Sequence, residues 1–205
     1  MIPVPSLAQY TQPFPRRLNL GCGQFPLKGM LNIDHDPAAK ADALADLGDL
    51  ATYRQLPENH FDYIVMDHVL EHLDDIFGIM RELHRVLTPG GLLELRVPHF
   101  SRGITHPEHR HGFDVTFPAY MDPAYKGGYI GVPFHLESMR LDYMIRWDLK
   151  KTIVPDWQIA LLKPLNAVVT GLANAQPYVC SRFWCYLVGG FEQIEYRFRK
   201  PSVTS

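Results

Sequence analysis

One stretch of this chain is crowded with groups that can move a proton or hold a metal. Thr105-His106-Pro107-Glu108-His109-Arg110-His111-Gly112-Phe113-Asp114 carries three imidazoles and two carboxylates, with His99 upstream and His135 downstream. Three chemistries fit. Imidazoles titrate near neutral pH and can take a proton from a reacting hydroxyl; His99, His109 and His111 are the candidates for that role. The pattern His-x-x-His-x-His, with Glu108 and Asp114 beside it, can also supply metal ligands. No standard zinc spacing fits it, so no metal is assigned. Finally, histidines in an irregular loop can bond backbone carbonyls and order the chain. The residues alone leave the three open.

A second set of groups falls at regular places along the chain. Leu20-Gly21-Cys22-Gly23, Asp34, Asp46-Leu47, Asp67-His68 and His99 each follow a short apolar run. Those runs read as strands: Arg17–Leu20, Met30–Ile33, Ala41–Ala45, Phe61–Met66 and Leu92–Val97. Between the last two, Asp74–Leu87 reads as a helix capped by Asp74 and stopped by Thr88-Pro89-Gly90-Gly91. Ile76, Phe77, Met80, Leu83, Val86 and Leu87 share one face of it, and His84 falls on the polar side. Strands alternating with helices predict a mostly parallel sheet covered on both faces. Ligands of such sheets bind beyond the carboxyl ends of the strands, which is where these groups converge.

The loop itself favours one ligand class over another. Dinucleotide sites place a pyrophosphate on a helix opened by Gly-x-Gly-x-x-Gly. Here Pro26 stands at the third glycine position, and only Gln24–Lys28 separates the loop from Gly29. That is too short for a usual crossover helix. The features disfavour a nucleotide-dependent oxidoreductase and suit a ligand without phosphate, such as S-adenosylmethionine (SAM). The short crossover also strains the predicted topology.

Residues 18–100 resemble the class I SAM-dependent methyltransferases of the methyltransferase type 11 group. The matching stretches are Leu18-Asn19-Leu20-Gly21-Cys22-Gly23, Gly29-Met30-Leu31-Asn32-Ile33-Asp34 and Ala45-Asp46-Leu47. They continue with Phe61-Asp62-Tyr63-Ile64-Val65-Met66-Asp67-His68-Val69-Leu70-Glu71-His72-Leu73 and Leu83-His84-Arg85-Val86-Leu87-Thr88-Pro89-Gly90-Gly91. The resemblance implies a Rossmann-like α/β fold with a mostly parallel seven-stranded sheet flanked by helices, its final strand antiparallel. It also implies roles. Leu20, Gly21, Cys22 and Gly23 would pass under the methionine part of SAM, Asp34 would hold the ribose, and Asp46 and Leu47 would flank the adenine. Asp67 and His68 would line the floor near the sulfonium. Glu71 and His72 divide evenly between helix capping and lining the site. Pro107-Glu108-His109 with Phe113 resembles the family's Pro-x-His followed by an aromatic, which makes His109 the first choice for acid–base work. His106 stands where the family often has Asp.

The remainder of the chain is less regular. Residues 1–16 read as an extended, proline-rich lead-in to a single domain over 1–205. Residues 98–136 and 149–190 read as acceptor-side or sheet-covering insertions. Glu137–Asp148 and Glu192–Phe198 alternate as strands do, and Trp157–Val188 reads as helix broken near Pro164 and Pro177. The C-terminal third loosely resembles methyltransferases of polysaccharide and natural-product pathways. That likeness identifies no acceptor; the reading adopted is a small-molecule acceptor, sugar, lipid-linked or natural product, with oxygen favoured as the methylated atom. The other reading is a SAM- or metal-binding module without catalysis.

Bulk properties bound these readings. With 20 Lys+Arg against 22 Asp+Glu, the net charge of −2 provides no basic footprint for nucleic acid. The start, Met1-Ile2-Pro3-Val4-Pro5, lacks the pattern of a signal peptide, and no apolar run is long enough to span a membrane. Cys22, Cys180 and Cys185 suggest reduced thiols in the cytoplasm, with Cys22 a small filler in its loop.

Overall fold

In a computed structural model that describes residues 4–11 and 13–202, seven strands form one sheet. The proline-rich start, Met1-Ile2-Pro3, lies outside the described residues. The strands are β1 (Arg17–Leu20), β2 (Leu31–Asp34), β3 (Ala43–Leu44), β4 (Phe61–Asp67), β5 (Leu87–Pro98), β6 (His135–Asp142) and β7 (Gln193–Arg199). Their order is β3-β2-β1-β4-β5-β7-β6. Strands β1 to β5 pair in parallel, and β7 inserts antiparallel between β5 and β6. The final strand is antiparallel and the sheet seven-stranded, as the family resemblance implies.

The central strands have apolar residues on both faces because both faces are covered. Leu18, Leu20, Leu31, Ile33, Ile64 and Met66 are fully buried. Helix α1 (Leu50–Arg54) and helix α2 (Ile76–Val86) pack on the sheet, and α2 buries Ile79, Met80, Leu83 and Val86. Its cap is Asp75, whose carboxylate accepts the Gly78 N–H at 2.7 Å, rather than the neighbouring Asp74. Two short helices follow, α3 (Phe100–Gly103) and α4 (Trp147–Lys150), then α5 (Asp156–Ala175) and α6 (Pro177–Arg182).

Several boundaries differ from the sequence reading, each for a local reason. Strand β5 starts at Leu87, not Leu92, because the Thr88-Pro89-Gly90-Gly91 turn is held as an extension of the sheet. There Gly90 N–H bonds the Lys200 carbonyl, and Lys200 N–H returns to Gly91. Strand β6 stops at Asp142 because the next three backbone N–H groups go to side chains, Tyr143 to Thr170, Met144 to Asn166 and Ile145 to Glu192, and Arg146 then turns left-handed (φ 52°). Helix α5 runs through Pro164: the proline removes one internal hydrogen bond but does not end the helix. The break falls at Gln176-Pro177. His84 is half-buried, edge-on to Phe134 at 5.1 Å between centroids. Burial and Lys200 push its pKa down to about 4.

The short crossover has a polar solution. No helix lies between β1 and β2 among the described residues. Asn32 on β2 does the work of one: its Oδ1 accepts the Leu27 N–H at 2.7 Å and the Asn19 amide at 2.9 Å, while its Nδ2 donates to Asp42 at 2.8 Å. Buried polar groups persist only when so satisfied. This network folds residues 24–30 back onto the sheet.

Candidate functional site

The carboxyl ends of β1, β2 and β4 meet around a cleft of about 660 Å³ lined by Gly21, Asp34, Asp46, Leu47, His68 and His72 among others. A second cleft of about 530 Å³ shares Gly21 and His68 and extends past Cys22, Asp67 and Arg96. The loop after β1 is therefore the ridge between them. Gly21 has φ +73° and Gly23 +50°, the left-handed region that glycine enters without a Cβ clash. At Gly21 a Cβ would stand 2.1 Å from Val69 Cγ2. Only glycine lets that loop pass so close to the chain after β4.

Asp34 closes the loop from below. Its Oδ2 accepts the Gly23 N–H at 2.7 Å and its Oδ1 accepts the Asp36 N–H at 2.9 Å. A carboxylate has about four acceptor positions, so both oxygens retain capacity toward the cleft. Asp46 is exposed and accepts the Gly48 N–H at 2.8 Å, next to buried Leu47. Cys22 is buried, and burial followed by Asp34 pushes its thiol up to about 11. It stays protonated at neutral pH. Asp67 is paired with Arg96 at 3.0 Å, which also binds Glu94 and Glu195. These residues fit a ligand such as SAM: a glycine loop for close backbone approach, and buried acceptors for a diol. Among the described residues no helix N-terminus stands behind the loop, the feature that a pyrophosphate site uses.

His68 ends β4 with φ 53°. Such a conformation in a residue other than glycine costs energy and collects at functional sites. It turns the imidazole between the two clefts. Its Nε2 meets Gln193 Oε1 at 3.0 Å, and its Nδ1 lies 3.3 Å from Glu71 Oε1. Burial lowers the His68 pKa, but Glu71, Gln193 and Asp67 outweigh it and the net shift is upward.

The histidine-rich segment docks onto the turn after β4. Arg110 N–H bonds the Glu71 carbonyl at 2.8 Å, and the His72 ring nitrogen Nδ1 bonds the Glu108 carbonyl at 3.2 Å. This brings His109 to the site: its Nε2 is 4.0 Å from Glu71 Oε1, and its ring lies 4.9 Å from that of His72. Burial lowers the His109 pKa, opposed by its bond to Gly103 and by Glu71. His106 stacks on His109 with centroids 4.4 Å apart.

The other two candidates for proton transfer lie elsewhere. His99 is fully buried, with Nδ1 against Ser101 Oγ at 2.7 Å and Nε2 against Ser181 Oγ at 2.8 Å. Burial holds its pKa near about 4. His111 lines a separate cavity of about 480 Å³ with Phe100, Asp114 and Arg182. Glu108 is exposed, and Asp114 is held by Arg182 and Thr116, so neither joins His109. The residue that does is Glu71, fully buried in a 3-10 turn where it caps nothing. From sequence alone it divides evenly between helix capping and lining the site.

A family model described as a methyltransferase domain matches residues 26–95, the span from the crossover through most of β5. No curated protein matches the sequence. Among solved structures, a SAM-dependent methyltransferase from Archaeoglobus fulgidus aligns with TM-score 0.57 at 14% identity, covering 91% of this chain and 86% of that one. A Haloferax volcanii methyltransferase, in complex with the methyltransferase activator Trm112, aligns with TM-score 0.53 at 14% identity over 95% and 87%. The YcgJ protein of Bacillus subtilis aligns with TM-score 0.51 at 15% identity over 92% and 93%. At such identities the likeness is one of fold.

Proposed function

We propose that this chain is a class I methyltransferase of the type 11 group, a reading that the domain match over residues 26–95 and the fold support, and that it moves a methyl group from SAM to an oxygen of a small-molecule acceptor. The observation that carries the oxygen reading is the position of His109: a part-buried imidazole within 4.0 Å of a buried carboxylate, beside the cleft lined by Gly21 and Asp34.

Bound SAM supplies an electrophilic methyl on a sulfonium. The chain's own residues orient and deprotonate. Asp34 offers acceptors to the ribose hydroxyls, and the Gly21–Gly23 loop gives the methionine moiety a close, side-chain-free wall. Holding acceptor and methyl in line lowers a barrier by about 7–11 kcal/mol in well-oriented cases. A hydroxyl acceptor must also lose its proton. His109 Nδ1 donates to the Gly103 carbonyl at 2.8 Å, since a carbonyl only accepts. The neutral ring therefore keeps a lone pair on Nε2, the nitrogen facing Glu71, and can take that proton.

The acceptor classes are sugar, lipid-linked compound and natural product. Helix α5 exposes Trp157, Leu161, Leu165, Val168 and Leu172 at spacings that form one stripe, which supports a lipid-linked acceptor among them. Among the described residues no helix is long and apolar enough to cross a membrane. Free, buried Cys22, Cys180 and Cys185 support a reducing compartment, the cytoplasm, as the place of action.

The test is release of demethylated SAM from panels of hydroxyl-, amine- and carbon-nucleophile acceptors, with SAM affinity measured by calorimetry. Turnover with hydroxyl acceptors is expected, and His109→Ala should lower it about 100-fold with SAM affinity near wild type. Turnover with amines alone, or His109→Ala at wild-type rate, would refute the oxygen reading.

A further inference from the structure

Glu71 poses a problem that a proton acceptor does not solve. Its side chain is fully buried, and among the described residues neither carboxylate oxygen has a hydrogen-bond partner. Leaving such a charge without a partner is costly. The groups closest to it are imidazoles: His68 Nδ1 at 3.3 Å, His72 Nε2 at 3.8 Å and His109 Nε2 at 4.0 Å.

The tautomer of each ring is fixed from behind. His109 Nδ1 faces the Gly103 carbonyl and His72 Nδ1 the Glu108 carbonyl; both nitrogens must donate. Behind His68, Gln193 gives its amide N–H to Asp142 at 3.1 Å, which leaves Gln193 Oε1 as the acceptor of the His68 Nε2–H. In their neutral forms the three rings therefore present lone pairs, not N–H groups, to a carboxylate that itself only accepts. With the rings neutral Glu71 meets no donor, so its compensation must come from a proton on His68, 3.3 Å away, or from a bound cation.

We infer that Glu71, His72 and His109 form a binding site for a divalent transition-metal cation, with zinc the best match. Their ligand atoms lie within 4.8 Å of one another. Metal–ligand bonds of about 2.0–2.2 Å put neighbouring donors about 3–3.5 Å apart, so side-chain adjustments of about an ångström close the set. Two imidazoles and one carboxylate, with a position left open, is a ligand set of catalytic zinc sites. The backbone carbonyls behind His72 and His109 supply the outer hydrogen bonds that orient metal-bound imidazoles. His68 stands beside the set, and its Nδ1 is the nearest further donor. The set crosses two segments, 71–72 and 109, and so differs from any ligand set confined to the histidine-rich loop.

The site borders the cleft, where His72 and Glu108 are wall residues. Resting on the methyl-transfer reading, the open position would hold the acceptor hydroxyl and lower its pKa, its proton leaving to solvent water in place of His109. His109 would then serve the reaction as a ligand.

Zinc titration of the chelator-treated full chain tests the site without any acceptor or SAM. Calorimetry should give one zinc per chain. His72→Ala, at a side chain about a third exposed, should weaken binding at least tenfold and still fold. His109→Ala should do the same, and His135→Ala, at an exposed residue of β6, should not. Cobalt in place of zinc should show visible absorption that the His72→Ala protein lacks. Absence of stoichiometric zinc binding, or equal loss in His72→Ala and His135→Ala, would overturn the site. Turnover and SAM binding would then still stand, with His109 as the direct proton acceptor.

Discussion

Asp34 and Glu71 are carboxylates buried beside the same cleft, and the fold treats them in opposite ways. Asp34 accepts two backbone N–H groups, from Gly23 and Asp36, at 2.7 and 2.9 Å. Among the described residues Glu71 accepts none and faces three imidazoles. The first is a finished piece of scaffold with acceptor capacity left for a ligand. The second is a buried carboxyl group whose two oxygens have no hydrogen-bond partner among the described residues. The difference teaches how to read a buried acid: full satisfaction points to positioning, and systematic non-satisfaction points to a group supplied from outside the chain.

The largest effect is expected at the satisfied member. Asp34→Ala removes the acceptors of the Gly23 and Asp36 N–H groups and the acceptor offered to the ribose. Hydrogen bonds to charged groups contribute roughly 1.5–3 kcal/mol each, so chemical denaturation should register a loss of about 3 kcal/mol. SAM affinity, measured by calorimetry, should fall at least tenfold. A variant that loses stability yet binds SAM as wild type would confine Asp34 to the scaffold and remove its ribose role.

The two acids also differ in how far they could be read beforehand. Asp34 follows a strand, and strand ends follow from short-range apolar patterning. The places of β1, β2 and β4 and the groups at their carboxyl ends were legible for that reason, while the count of seven strands came only with the family resemblance and their order only with the structure. Glu71 was legible only as a residue near the site. Its surroundings depend on a docking between segments about forty residues apart, made by the Arg110 N–H on the Glu71 carbonyl and by His72 on Glu108. No local spacing encodes that contact. The same limit explains why His99 and His111 looked equivalent to His109. All three lie in one stretch of sequence, but α6 buries His99 through Ser181 and His111 lines a separate cavity with its Nε2 on the Asp74 carbonyl at 3.3 Å. The short crossover from β1 to β2 was visible as a difficulty, while its remedy, Asn32, was not: a lone asparagine in a strand has no pattern.

Glu71→Gln sharpens the comparison, because the predicted sign is reversed. Glutamine keeps the shape, removes the charge and brings an NH₂ group that can donate to the facing imidazole lone pairs. In chelator the variant should be more stable than wild type by about 2 kcal/mol, within the usual cost of an unsatisfied buried group. Zinc should stabilise wild type by about 2.7 kcal/mol at a hundredfold excess over its dissociation constant and leave the variant unchanged. Destabilisation of Glu71→Gln in chelator would mean that the carboxylate is already compensated, and the contrast with Asp34 would collapse.

His99 provides the smallest and cleanest check on the same logic, since it is a buried polar group satisfied in its neutral form. Burial lowers its pKa to about 4, with Asp114 opposing, against roughly 6.5 in an unfolded chain. Above the unfolded value both states are neutral and the residue contributes no pH dependence. As the pH falls below it, the unfolded chain takes up a proton that the folded one refuses, so stability declines between about 6.5 and 4. The His99 contribution should cost about 1 kcal/mol between pH 7.5 and pH 6. His99→Gln removes the titrating ring and keeps a hydrogen-bonding side chain between Ser101 and Ser181. Whatever its effect at pH 7.5, its stability should fall less steeply over that interval than wild type. Equal slopes would mean that the buried ring is not the group refusing the proton. The residual slope of the variant would then fall to half-buried His84, whose pKa is also held near about 4.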